Sequence, residues 1–136
     1  MTDKELIKFA MDARKMSHSP YSDFKVGAAL LSWNGVVYQG CNIESASYSP
    51  TNCAERTAFF KAVSEGEKIF RKIAIVGWAD KSPDLDICFP CGVCRQVMAE
   101  FCDSDFEVIL ADSSGNYEVW TLDELLPRRF GPENLL

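Results

Sequence analysis

Three cysteines and one glutamate stand where they could hold a metal and move a proton. "TNCAERTAFF" (51–60) sets Cys53 two residues before Glu55, at the start of an expected helix. "FPCGVCRQVM" (89–98) sets Cys91 and Cys94 just ahead of a second apolar helix. Zinc favours thiolates in a tetrahedron, and a catalytic site takes three protein ligands and keeps the fourth position for water. The gap between Cys91 and Cys94 lets adjacent thiolates share one metal, with Cys53 as a candidate third. Cys88 stands three residues before Cys91, so 88/91 is a rival pair on spacing alone. A structural site would need a fourth ligand from Cys41, Cys88, Cys102 or His18, and none makes a second Cys-x-x-Cys pair with Cys53.

The placement of these residues carries its own chemistry. Helix N-termini bear partial positive charge and lower thiol pKa values. Three thiolates on one Zn²⁺ leave a net negative centre, which two helix N-termini and the neighbouring Arg56 would offset. A carboxylate beside such a metal, but not ligating it, can shuttle protons between water and substrate. Taken alone, a glutamate in a first helical turn commonly just complements the helix dipole. Cys-x-Glu together with Pro-Cys-x-x-Cys is, however, a known signature of zinc deaminases.

The elements that must position these residues are legible in outline. Residues 3–17 read as an amphipathic helix with Thr2 and Glu5 as a capping box, and Leu6, Phe9, Ala10, Ala13 and Met16 on its apolar stripe. "SHSPYSD" breaks it at Pro20. "FKVGAALLSW" and "VVYQGCNI" read as strands around an Asn34-Gly35 turn. The Cys53 helix runs to about Glu65, before Gly66. "RKIAIVGWA" is a buried strand expected to have a parallel neighbour. Residues 92–102 form a helix with Val93, Val97, Met98 and Phe101 facing inward. "FEVILA" and "YEVWTL" flank the tight turn "DSSGN", so that last pair must be antiparallel. "DELLPRRFGPENLL" supplies a short helix and a tail. The alternation predicts an α/β fold, a three-layer α/β/α sandwich around one mixed sheet of about five strands.

Composition bounds the partners. A chain of 136 residues suits one domain spanning 1–136. The opening "MTDKELIKFA" lacks the basic start and apolar run of a signal peptide, and no apolar stretch approaches a membrane span. A cytoplasmic protein with reduced thiols is therefore expected. The formal net charge of -6 disfavours a polynucleotide partner, whose phosphates call for a basic face. A small neutral substrate suits the chain better. Cys41, Cys88 and Cys102 read as small buried hydrophobes and His18 as a solvated loop residue. Trp33, Trp78 and Trp120 read as core or interface. Arg128 and Arg129 read as a solvated face, with phosphate binding as a weaker alternative.

The chain resembles the cytidine deaminases of the short, homotetrameric kind. "GCNIESASYSPTNCAERTAFFKAVSEGEKIFRKIAIV" and "PCGVCRQVMAEF" carry the resemblance, and "PYSDFKVGAALL" and "DELLPRRF" extend it to nearly the whole chain. It implies one Zn²⁺ per chain on Cys53, Cys91 and Cys94, which would decide between the rival pairs. It implies Glu55 as the catalytic proton shuttle and Arg56 as a hydrogen-bond donor to the ligand sulfurs. It further implies Asn42 and Glu44 on the ribose 3′-hydroxyl, Phe24 packed on the pyrimidine and the Ala54 backbone against the base. Tyr48 and Phe130 would reach a neighbouring subunit's pocket. The implied activity is hydrolytic deamination of cytidine and deoxycytidine to uridine and deoxyuridine with release of ammonia, as in pyrimidine salvage. A blasticidin-S-type or other nucleoside or base deaminase would share the metal chemistry, although "CNIE" speaks for ribose recognition. A structural zinc module is the non-enzymatic alternative; the missing fourth ligand and the acidic balance argue against it.

Overall fold

The computed structural model describes residues 1–82 and 86–136. Helix α1 covers Asp3–Arg14, and the Thr2 hydroxyl caps it by accepting from the Glu5 amide at 3.2 Å. Strands β1 (Phe24–Ser32) and β2 (Val37–Cys41) follow, joined through Gly35 at φ 83°. Helix α2 (Ala54–Ser64) leads to β3 (Phe70–Ala79), and α3 (Gly92–Phe101) leads to β4 (Glu107–Ala111). Strand β5 (Tyr117–Thr121), the four-residue helix α4 (Leu122–Leu125) and a 3₁₀ turn at Pro132–Asn134 complete the chain. No helix is long and apolar enough to cross a membrane among the described residues.

The sheet order is β2-β1-β3-β4-β5. Among the described residues only strands β3 and β4 run parallel, linked through α3, and every other strand pair is antiparallel. Both the parallel neighbour of "RKIAIVGWA" and the antiparallel last pair are thus present. Side chains alternate between two cores, as a strand period of two requires. Ala28, Leu30, Ile73, Ile75, Val108 and Leu110 pack under α2, α3 and α4. Ala29, Leu31, Ala74, Val76, Ile109 and Ala111 pack against α1. The result is the expected three-layer sandwich.

Local differences from the sequence reading have long-range causes. Helix α1 stops at Arg14 instead of running to residue 17, because His18 pairs with Ile43 and its amide donates to the Asn42 carbonyl at 3.1 Å. Arg14 is itself buried, lying 4.0 Å over the Trp78 ring and bonded to the Lys25 carbonyl and to Asp80. The buried stripe of α1 is Leu6, Ile7, Ala10 and Ala13, while Phe9 and Met16 are exposed. In α3 it is Cys94, Met98 and Ala99 that are buried; Val93 faces out. Trp33 is also exposed, under the Arg71 guanidinium. Arg129 is not freely solvated, since it pairs with Asp123 and donates to the Ser104 hydroxyl.

One glycine sets the depth of the helix that carries Cys53 and Glu55. A Cβ on Gly40 of β2 would lie 2.3 Å from the Ala54 carbonyl oxygen and 2.6 Å from the Ala58 nitrogen. Both obstacles are backbone, so α2 itself would have to move. Gly40→Ala is expected to lower stability by about 1–3 kcal/mol, read as a fall in the urea midpoint. An unchanged midpoint would show that this close approach does not constrain α2.

Candidate active site

The ends of two helices meet at one edge of the sheet. Helix α2 begins after the C-terminal end of β2, and α3 begins after that of β3. Because β1 runs antiparallel to both strands, its first residue, Phe24, lies at the same edge, paired with Ala79. Cys53 is the N-cap of α2, Cys91 is the N-cap of α3, and Cys94 lies in the first turn of α3. The sulfurs of these three lie within 4.8 Å of one another. Cys53 Sγ is 3.7 Å from Cys91 Sγ, which is 3.5 Å from Cys94 Sγ. These are too long for disulfides. Zn–S bonds of about 2.3 Å in a tetrahedron put sulfurs about 3.8 Å apart, so the donor set fits one zinc per chain.

The protonation of the trio points the same way. Cys53 is held down at about 5, first by the Cys94 thiol donating to it and then, against the cost of burial, by Arg56. Arg56 Nη2 donates to Cys53 Sγ at 3.3 Å. Cys94 is pushed far up, first by that same bond to Cys53 and then by burial. Adjacent thiolates repel one another. A divalent ion would relieve that repulsion and allow all three to ionise.

Cys88 does not join the cluster among the described residues. Its sulfur is turned onto β3, 3.1 Å from where a Cβ on Gly77 would stand. Burial pushes this thiol up to about 12, the signature of a neutral packing group. Cys102 also packs against the core, whereas Cys41 is half-buried beside a surface groove between α1 and α2. His18 is exposed, as a solvated residue should be.

Glu55 is 4% exposed. Burial raises its carboxyl to about 7, its own backbone amide pulls it back, and the Cys53 charge adds to the rise. A carboxyl poised near neutrality can both take and give a proton.

A pocket of about 240 Å³ opens beside the sulfurs. It is lined by Cys53, Ala54, Glu55 and Cys91, and also by Phe24, Asn42 and Glu44. Asn42 and Glu44 lie past the end of β2, on either side of the Ile43 bridge, and both reach the pocket. The Asn42 amide is oriented by the backbone: its oxygen accepts from the Val26 amide at 2.9 Å, and its nitrogen donates to the Phe24 carbonyl at 2.8 Å. Glu44 accepts from the amides of Tyr21 and Ser22 at 3.0 and 3.2 Å, and from the Ser22 hydroxyl. The Ser22 hydroxyl bond is the main cause holding its carboxyl below the usual range.

Tyr48 and Phe130 are not brought to this pocket. Tyr48 is exposed on an adjoining recess of about 410 Å³ that shares Ser22, Glu44 and Thr51 with the pocket. Phe130 is exposed beside α3, its carbonyl accepting from Gln96. Ser22 and Phe89, which the sequence does not single out, also line the pocket, as does Cys88, the rival metal ligand on spacing. Phe89 stands next to Pro90-Cys91, and its ring packs edge-on to Trp120 at 5.6 Å. Adjacency to that motif was the one signal that could have found it.

The family model described as "Cytidine and deoxycytidylate deaminase zinc-binding region" matches residues 1–110. A cytidine deaminase of Sporosarcina psychrophila is 49% identical over 135 residues, covering 99% of this chain and 96% of that protein. The crystal structure of cytidine deaminase from Burkholderia pseudomallei matches with a TM-score of 0.87 at 45% identity, covering 96% of this chain and 100% of that one. A blasticidin-S deaminase of Bacillus cereus is more distant, 31% identical over 133 residues, covering 94% of this chain and 91% of that protein.

Proposed function

This chain belongs to the cytidine and deoxycytidylate deaminase family, and from that premise we propose that it hydrolyses cytidine and deoxycytidine to uridine and deoxyuridine, releasing ammonia. The observation that carries the reading is the trio of sulfurs at two helix N-termini with a buried carboxyl beside them at the pocket wall. Zinc on Cys53, Cys91 and Cys94 would lower the pKa of a water toward neutrality and so supply hydroxide.

The remaining steps belong to the chain's own residues. Glu55 takes the proton of the attacking water and delivers it to ring N3 as the oxygen adds to C4. It then takes the second proton from the oxygen added at C4 and passes it to the amino group, so the C4–N bond breaks to free ammonia and leaves the C4 carbonyl. Arg56 holds Cys53 as thiolate through its bond to that sulfur. Phe24 packs on the ring and the Ala54 backbone contacts the base. The Asn42 amide keeps a spare N–H to donate, and the Glu44 carboxylate accepts, so together they suit one sugar hydroxyl. A site built around such a hydroxyl rejects analogues that lack it. We assign Tyr48 and Phe130 to neighbouring pockets in a homotetramer. A one-domain cytoplasmic enzyme acting on a small nucleoside and not on a polynucleotide suits the formal net charge of -6.

Turnover of cytidine, 2′-deoxycytidine, free cytosine and blasticidin S by the purified protein tests the reading. Both nucleosides are expected to be deaminated, and the base and the antibiotic at least about 10²-fold more slowly. Faster turnover of blasticidin S would favour the runner-up deaminase.

A further inference from the structure

The segment between α1 and β1 touches the pocket through one hydroxyl that makes two directed bonds. Ser22 Oγ donates to Glu44 Oε2 and accepts from the Phe24 amide at 3.0 Å. The directions are forced. A backbone N–H can only donate, and an ionised carboxylate can only accept. The single proton of Ser22 therefore goes to Glu44, and its lone pair takes the Phe24 amide. Glu44 is further gripped by two backbone amides of the same segment. With Ser22 in place, Glu44 is a fixed, charged acceptor, and the backbone carrying the Phe24 ring is tied to it.

We propose that Ser22 is a positioning residue that sets the sugar selectivity of the site by fixing the Glu44 carboxylate. The proposal rests on the reading of Glu44 as the acceptor of a sugar hydroxyl. Ser22 lines both the pocket and the adjoining recess, so a bound nucleoside covers it. Loss of surrounding water strengthens a charge-assisted bond at the moment it matters for binding. Without the Ser22 bond Oε2 has lost its donor while the two amides still hold Oε1, so the ligand itself would have to fix the remaining freedom of the carboxylate, and that cost would appear in KM.

Ser22→Ala separates positioning from general support. Its KM for cytidine is expected to rise about tenfold, the weight of one charge-assisted bond, with kcat within about threefold. For 3′-deoxycytidine, which offers Glu44 no 3′-hydroxyl, the KM of the variant should stay within about twofold of wild type. Ser22→Thr, which keeps the hydroxyl, should restore cytidine binding, and thermal melts should show both variants folded. An equal rise for both nucleosides, or no rise with cytidine, overturns the proposal. If wild type itself treats cytidine and 3′-deoxycytidine alike, Glu44 is not the sugar acceptor and the inference falls with that assignment. Absence of cytidine turnover by wild type would be the separate failure of the deaminase reading.

Discussion

Glu55→Gln is expected to lower kcat for cytidine by about 10³-fold or more, with zinc content and melting temperature close to wild type. The size follows from the roles assigned to one side chain. It moves a proton from water to N3 and another to the leaving amine, and a carboxamide can do neither. Such a loss corresponds to about 4 kcal/mol of transition-state stabilisation. The fold should tolerate the change because Gln has the shape of Glu and carries no charge. Burial already disfavours the ionised form here, raising the carboxyl to about 7. Steady-state kinetics with metal analysis on the same preparation checks the prediction. Near-normal turnover by a zinc-loaded variant would remove Glu55 from the chemistry.

Cys91→Ser should be as damaging by a different route. Cys91 Sγ stands between the other two sulfurs, at 3.7 and 3.5 Å. It also caps α3, accepting from the Cys94 amide at 3.5 Å. A serine hydroxyl can keep the cap but is a poor zinc ligand, so the substitution isolates the metal role. Zinc content is expected to fall below a tenth of an equivalent per chain, and cytidine turnover to become undetectable. Wild type should also lose about 4 kcal/mol of stability on chelation if zinc was present about 1,000-fold above its dissociation constant. The variant should not respond to chelator at all. Stoichiometric zinc in Cys91→Ser would show that the ligand set is wrong.

Much of this architecture was legible because local signals agreed with the tertiary result. The Asn34-Gly35 hairpin and the antiparallel β4–β5 pair follow from turn lengths, and a helical connection marked β3 as having a parallel neighbour, which is β4. Cys53 and Cys91 fall at helix N-termini because turn residues precede each apolar helix. What stayed hidden depends on contacts distant in sequence. Spacing could not separate Cys88 from Cys94, since each lies three residues from Cys91. Packing separates them: Cys88 is turned onto Gly77 of β3, while Cys94 faces the cluster. The early end of α1 depends on the pairing of His18 with Ile43, 25 positions away (43 − 18). Val93 follows helical spacing yet points outward, because α3 is rotated to bury Cys94, Met98 and Ala99. Ser22 carries no motif, and only the approach of Glu44 gives its hydroxyl a role.

A metal-exchange assay with cytidine tests the zinc-dependent chemistry most directly. Protein as purified, protein stripped by chelator and protein reloaded with zinc would be compared for cytidine loss and ammonia release, with metal counted per chain. Turnover that disappears on stripping and returns in proportion to zinc, saturating at one equivalent per chain, is the predicted result. Undiminished deamination by stripped protein, or zinc-loaded protein that leaves cytidine intact, would contradict it.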